Sequence, residues 1–209
     1  MTPQLIQPTG AAHTRIYSYG AARGQNAVPN EDLIEPIDSS DEWIRQRTGI
    51  ITRVRADADT SAIDLAADAA AEAIERSGIP ADKIDAVIVA TISNPKQTPS
   101  VSAIVADRVG ANPAAAYDLN AACAGFAYGV AQADALIRAG AAHYALVIGT
   151  EKLSDVVDPT DRSISFLLGD GAGAVVVGPS ETPGIGPTIW GSDGSKADAV
   201  GMNHTLTEF

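Results

Sequence analysis

Only one cysteine, Cys123, occurs in the 209 residues, so no internal disulfide can form, and no Cys/His spacing suited to a metal is present. A reducing, cytoplasmic setting is the expectation that follows. Histidine is scarce too, with His13, His143 and His204 alone. Positive charge is outnumbered, 14 Lys and Arg against 26 Asp and Glu, for a net charge of −12. That balance argues against nucleic acid as the main partner, because the phosphate backbone would repel the chain as a whole. Small anions held by local groups are not excluded. Aromatic residues make up 5% of a chain that is 45% hydrophobic, so its apolar mass is Ala, Val, Ile and Leu. Such small side chains suit helices packed closely on strands. No apolar run reaches the length of about 18 residues that a membrane span needs. Met1–Gly10 carries neither a basic segment nor an apolar one, so no secretory signal is read there.

What is present alternates between helical and extended patterns. Ser61–Ser77 reads as a helix with Ile63, Ala66, Ala67, Ala70, Ala73 and Ile74 on one side, Ser61 and Asp64 as a cap, and Gly78 and Pro80 as the stop. Asp85–Ile92 reads as a buried strand. Thr98 is expected to cap a helix that has Pro99 at its first position and ends before Gly110. Ala115–Leu119 and His143–Gly149 read as strands, with a small-residue helix from about Cys123 to Ala139 between them. Ile164–Leu168 and Ala172–Val177 look like two strands joined by a tight turn at Gly169-Asp-Gly171, and Thr188–Ser192 like the start of another. Gly169-Asp-Gly-Ala-Gly173 is not a phosphate loop: a β-rich run follows it where a helix should, and it lacks the GxGxxG spacing and the P-loop Lys. Strands alternating with helices imply an α/β fold with a mostly parallel sheet covered by helices on both faces.

Cys123 lies where a strand turns into a helix, among Ala and Gly. There a thiol has little steric cover and has unpaired backbone N–H groups to hold negative charge. A buried structural cysteine is the other reading. No histidine has a neighbourhood that marks it as the acid–base partner a thiol catalyst uses. His13 falls in an expected tail, His143 at the entry to a strand, and His204 in a polar stretch. The densest basic stretch, Arg45, Arg47, Arg53 and Arg55, reads by charge alone as a solvated loop or hairpin.

Five stretches carry a resemblance: Asp41-Glu-Trp-Ile-Arg-Gln-Arg-Thr-Gly-Ile50, Asn120-Ala-Ala-Cys-Ala-Gly-Phe126, Gly149-Thr-Glu-Lys-Leu-Ser154, Asp158-Pro-Thr-Asp-Arg162 and Gly169-Asp-Gly-Ala-Gly-Ala174. In this order, and over about residues 13–195, the chain resembles the β-ketoacyl-acyl-carrier-protein synthase III family of thiolase-like condensing enzymes. The resemblance implies a thiolase-like fold, of which this chain is one half of a five-layer αβαβα sandwich. It implies that Cys123 takes an acyl group from acyl-CoA and that this group is condensed with malonyl-acyl carrier protein, starting fatty acid synthesis. Trp43, Arg47 and Arg162 match positions that hold the CoA nucleotide, which suits the stacking of aromatic and guanidinium planes on a base and the pairing of Arg with phosphate. Ser39 matches a further polar CoA contact. The backbone N–H of Cys123 would belong to an oxyanion hole. Thr98 matches a position reaching into the acyl pocket of a homodimeric partner, and its small size implies room for a longer or branched acyl group. Arg45, Arg53 and Arg55 are candidate contacts for the acidic carrier protein. No resident cofactor or metal is implied, since CoA and phosphopantetheine enter with the substrates.

The sequence departs from that pattern in length. The family's catalytic His and Asn belong to a second half whose motifs are not found here, and Asn203-His204 stands outside their surroundings. The expected organisation is a flexible segment 1–12, a nucleophile-bearing half 13–180, and 181–209 as a connector with the truncated start of the second half. On this reading the chain alone fails at condensation. Rival readings are a polyketide-starter synthase, an ester-forming acyltransferase or a hydroxymethylglutaryl-CoA-synthase-like enzyme, and, in another class, a non-catalytic acyl-CoA-binding subunit.

Overall fold

A computed structural model describes residues 8–201. In chain order its elements are β1 (His13–Arg23), β2 (Asn26–Pro29), α1 (Asp41–Thr48), β3 (Thr52–Arg55), α2 (Ala62–Ser77), β4 (Ala86–Ala90), α3 (Val101–Arg108), β5 (Ala115–Leu119), α4 (Gly125–Arg138), β6 (Ala145–Lys152) and β7 (Asp170–Ser180). Five strands form one sheet in the order β1-β7-β6-β4-β5, and β2 and β3 form a separate antiparallel pair. β4 runs parallel to both β5 and β6, while β7 lies antiparallel between β6 and β1. Four of the five strands therefore point one way and β7 alone opposes them, which fits the expected mostly parallel sheet.

The period-2 geometry of strands sorts the core into two layers. Val87, Val89, Leu146, Ile148, Ala174 and Val176 face α2 and α3. Ala86, Ile88, Ala145, Val147, Val175 and Val177 face the other way, with Ala133 and Ile137 of α4. Every residue of β4 is buried, which is why Ala-Val-Ile-Val-Ala reads as an unbroken apolar run. Each fully buried Val, Leu or Ile contributes about 1.5–3 kcal/mol. α2 lies close on the sheet because its inner side is Ala66, Ala69, Ala70 and Ala73. It faces Gly20 of β1, where an added Cβ would stand 2.2 Å from the carbonyl oxygen of Ala69.

α2 starts as expected. Ser61 Oγ accepts from the Asp64 N–H, and the Asp64 carboxylate accepts from the Ser61 N–H, a closed capping box. The Ser61 hydroxyl, burial, the Ser61 amide and the Arg108 guanidinium together move the Asp64 carboxyl to about 2, with burial alone opposing.

Five expectations fail. Ser100, not Thr98, caps α3: its hydroxyl accepts from the Ala103 N–H, so the helix starts after Ser100 and Pro99 lies outside it. Ile164–Leu168 is not a strand. It is a turn segment in which the Ser165 amide donates to the Asp161 carbonyl, and Phe166 is buried. Gly169-Asp-Gly171 is then no turn between strands, because Asp170 already begins β7. Thr188–Ser192 forms no strand. His13 opens β1 opposite Ser180 and so does not lie in a tail. Of the segment 1–12, residues 8–12 are described, and the Ala11 amide donates to the Ile137 carbonyl.

Candidate active site

β5 ends at Leu119, and the chain crosses Asn120 and Ala121 into a 3₁₀ turn, Ala122–Ala124, that leads directly into α4. Ala122 takes φ +43, a left-handed conformation that costs a residue with a Cβ about 1–2 kcal/mol. Cys123 follows it and is exposed, so the buried structural reading of this thiol fails. Close packing just beyond offsets the strained step. An added Cβ at Gly125 would stand 2.8 Å from the Ala90 Cβ, and one at Gly129 would stand 2.7 Å from Val147 Cγ1. Glycine at both positions lets the head of α4 sit on β4 and β6. No side chain caps α4, so its first-turn amides and its dipole leave positive potential at the end that carries Cys123.

Cys123 opens into a pocket of about 210 Å³. Ala90, Ala122, Phe126, Gly149 and Thr150 wall it on one side, and Gly171, Ala172 and Gly173 of β7 on another. The glycine-rich motif is therefore the start of a strand and a wall of this pocket. An added Cβ at Gly173 would meet nothing within 4 Å, so this glycine leaves open space and relieves no clash. Among the described residues, the one ionisable side chain lining the pocket besides the thiol is Glu151, near the end of β6. Its Oε1 accepts from the Ile92 amide at 2.9 Å, and its Oε2 accepts from the hydroxyls of Ser93 and Thr91. Ser93 Oγ in turn accepts from the Lys152 amide at 2.8 Å. Beneath these groups Asp170 is buried, and its carboxylate accepts from the amides of Ala56 and Ser154 and from the Ser154 hydroxyl.

A second cluster is built on α1 and the β2–β3 pair. Ile44 and Phe166 are buried there with Leu33 and Ile37. Asn30 is fully buried: its Nδ2 donates to Asp41 and to the Ile50 carbonyl, and its Oδ1 accepts from Arg53. That bond from Asn30, followed by Arg45, holds the Asp41 carboxyl below its usual range. On this base stands Trp43, edge-on to Phe166 at 5.3 Å. The Arg47 and Arg162 guanidinium carbons lie 4.2 and 5.0 Å from the centre of its rings. Arg162 arrives on two carboxylate-closed turns: Asp158 accepts from the amide and hydroxyl of Thr160, and Asp161 from those of Ser163. Both carboxyls are lowered, Asp158 chiefly by the Thr160 amide and Asp161 chiefly by the Ser163 hydroxyl.

Trp43 and Arg47, one turn apart on α1, thus meet Arg162, which is distant in sequence. Ser39 lies just before α1, with its Oγ buried and without a hydrogen-bond partner among the described residues. Thr98 is exposed on the segment between β4 and α3 and does not line the pocket of its own Cys123. His13 and His143 line a different cavity, with Arg15 and Asp85, so neither serves Cys123. His204 and Asn203 lie outside the described residues. The basic stretch is solvated only in part: Arg45 and Arg47 are exposed on α1, and β3 draws the other two arginines inward. Arg53 is buried and donates to the Val28 carbonyl and to Asn30, and Arg55 donates to the Ser165 carbonyl. Arg53 is therefore no carrier-protein contact. Sequence reasoning missed Glu151 as a pocket residue, the Gly171–Gly173 wall and the left-handed Ala122. The small residues were visible in the sequence, but nothing local said which cavity they faced.

Comparison with known proteins agrees with this geometry. The family described as 3-oxoacyl-[acyl-carrier-protein (ACP)] synthase III matches residues 117–194. A β-ketoacyl-[acyl-carrier-protein] synthase III of Kocuria rhizophila is 61% identical over 94% of this chain and 56% of its own length. One of Streptomyces glaucescens is 50% identical over 98% of this chain and 62% of its own. Among solved structures, the priming β-ketosynthase of a polyketide biosynthetic pathway superposes with a TM-score of 0.88 at 41% identity, covering 92% of this chain and 57% of that one. A β-ketoacyl-[acyl-carrier-protein] synthase III of Thermus thermophilus gives 0.84 at 40% identity, covering 88% and 57%. In each case the chain spans less than two thirds of its relative's length. By sequence and by its thiolase-like fold, the chain belongs to the β-ketoacyl-acyl-carrier-protein synthase III family, of whose members it represents a little more than half.

Proposed function

We propose that Cys123 is the acyl-accepting nucleophile of a β-ketoacyl-acyl-carrier-protein synthase III and that the Trp43–Arg47–Arg162 cluster holds the nucleotide of acyl-CoA. The observation that carries this reading is the exposed Cys123 on a strained turn at the uncapped head of α4, opening into a pocket walled by small residues. The deprotonated Sγ adds to the thioester carbonyl carbon. The carbon–sulfur bond to CoA then breaks, and CoA leaves with the proton that Cys123 gave up. Backbone N–H groups at the head of α4, that of Cys123 first, stabilise the oxyanion between these steps. In the second half-reaction malonyl-acyl carrier protein loses carbon dioxide. Its carbanion attacks the acyl-enzyme, expelling the Cys123 thiolate, which regains a proton from solvent, and giving a 3-oxoacyl product that starts fatty acid synthesis. No histidine or asparagine lines the Cys123 pocket among the described residues, so on this reading the groups that activate the malonyl unit come from outside it.

The same reading makes the working enzyme a cytoplasmic homodimer without a resident cofactor. No described helix is long and apolar enough to cross a membrane. Thr98, exposed in its own subunit, then serves the partner's acyl pocket, and Thr98→Phe shifts preference toward shorter acyl-CoAs. An unchanged chain-length profile removes that role. Ser39 supplies a polar CoA contact if its hydroxyl turns outward. Intact mass after incubation with acyl-CoA tests the central claim: an acyl adduct forms and Cys123→Ser abolishes it. A folded sample that gains no adduct favours a non-catalytic acyl-CoA-binding subunit. The likeness to a polyketide priming ketosynthase keeps a second substrate choice in view. Comparing adduct rates across short, branched and longer acyl-CoAs identifies the primer.

A further inference from the structure

We infer that Glu151 is a positioning residue of the nucleophile pocket: its carboxylate latches the chain leaving β4 to the end of β6 and so sets how long a group the space beside Cys123 admits. β4 ends at Ala90, which is itself a wall of that pocket, and the next three residues are the ones Glu151 binds. Thr91 and Ser93 present hydroxyls to Oε2, and Ile92 presents its amide to Oε1. Ser93 is buried, and its oxygen also receives the Lys152 amide, so one hydroxyl bridges the side chain of Glu151 and the backbone that follows it. The far end of the same connection is tied separately, with the Asp118 carboxylate accepting from the amides of Val101 and Ser102 at 2.8 Å each. The residues between these ties, Pro95–Pro99, are exposed. The Asp118 tie holds the helix end, so the Glu151 tie is the one that keeps the pocket-side end against its wall. A carboxylate that accepts from an amide and two hydroxyls has both oxygens engaged, which suits a positioning group.

The inference concerns the pocket and does not rest on acyl transfer. Its test is the rate of Cys123 alkylation by iodoacetamide and by N-alkyl iodoacetamides of increasing chain length, followed by intact mass on the full chain. Wild type slows as the alkyl group lengthens. In Glu151→Ala the ratio of long-chain to short-chain rates rises about tenfold, a change of the size that one or two methylenes make in a confined apolar site. Ser93→Ala breaks the same latch from the other side and raises the ratio in the same direction. Glu151→Gln, which still accepts from the Ile92 amide, stays near wild type. Hydrogen exchange at residues 91–93 accelerates in the first two variants. A general loss of packing would speed or slow all reagents alike and leave the ratio unmoved. An unchanged ratio overturns the inference, as does a shift in Glu151→Ala that Ser93→Ala does not share. If wild type is alkylated with this pattern but takes no acyl group from acyl-CoA, the proposed function fails and the latch stands.

Discussion

The two clusters to which the proposed function assigns the chemistry are built from opposite materials. Around Cys123 the walls are mostly Ala and Gly, with Thr150, Phe126 and Glu151 beside them, and the thiol is positioned by how closely α4 can approach β4 and β6. Around Trp43 the parts are arginines, carboxylate-closed turns and a short helix, held by a buried Asn30–Arg53–Asp41 network. The first site is made by leaving side chains out, the second by crowding charged and aromatic ones together. Bond-making needs a fixed backbone. The nucleotide grip proposed for the second would tolerate side chains that rearrange onto a base and a phosphate.

That contrast can be broken by perturbing each region and reading both. The largest effect is expected from Leu146→Ala, which empties the centre of the sheet and costs about 2–5 kcal/mol in chemical denaturation. It should speed the alkylation of Cys123 through global opening as well as lower stability. Gly129→Ala comes next. Its new methyl group collides with Val147, costing about 1–3 kcal/mol and shifting the head of α4. An unaltered Cys123 alkylation rate in this variant would mean that α4 packing does not position the thiol. Trp43→Ala should leave Cys123 alkylation as it is while weakening CoA binding, measured by calorimetry, about tenfold, the scale of one lost stacking contact. If Cys123 responds instead, the two regions are mechanically one. The smallest effect is set by pH. The Asp64 carboxyl is lowered to about 2 in the fold, so its contribution is complete above the unfolded value of about 4 and fades as pH falls toward 2. Asp158 and Asp161 are lowered in the same direction and hold the turns under Arg162. Denaturation midpoints taken between pH 5 and 2 should therefore fall, and Asp64→Asn should flatten part of that slope.

Elements whose signals are local were legible. The α2 capping box needs only Ser61 and Asp64, and Ala115–Leu119 matches β5 to the residue. β1 was not legible because its buried positions are polar or lack a side chain. Thr14 and Ser18 spend their hydroxyls on Asp134 and on the Ala73 carbonyl, and Gly20 admits α2. An apolar run misled at Ile164–Leu168, where Phe166 is buried beside Trp43 and not within a sheet. Thr98-Pro99 has the form of a cap followed by a first helical residue, yet a second hydroxyl at Ser100 took the cap. Cys123, Trp43, Arg47 and Arg162 came from motif resemblance, and their grouping in space followed. The role of Glu151 depends on a long-range contact with Ile92 and Ser93, which no window of sequence contains.

The pairing of β1 with β7 has a consequence for biogenesis. His13 leaves the ribosome early and cannot meet Ser180 until nearly the whole described chain has been made. Until then β7 is absent, so the inner edges of β1 and β6 stay open and α2 lacks part of its floor. Such non-local closure makes folding slow and late, and exposes unpaired strand edges to neighbouring nascent chains. Shielding those edges until Ser180 has emerged is work of the kind a chaperone does during synthesis.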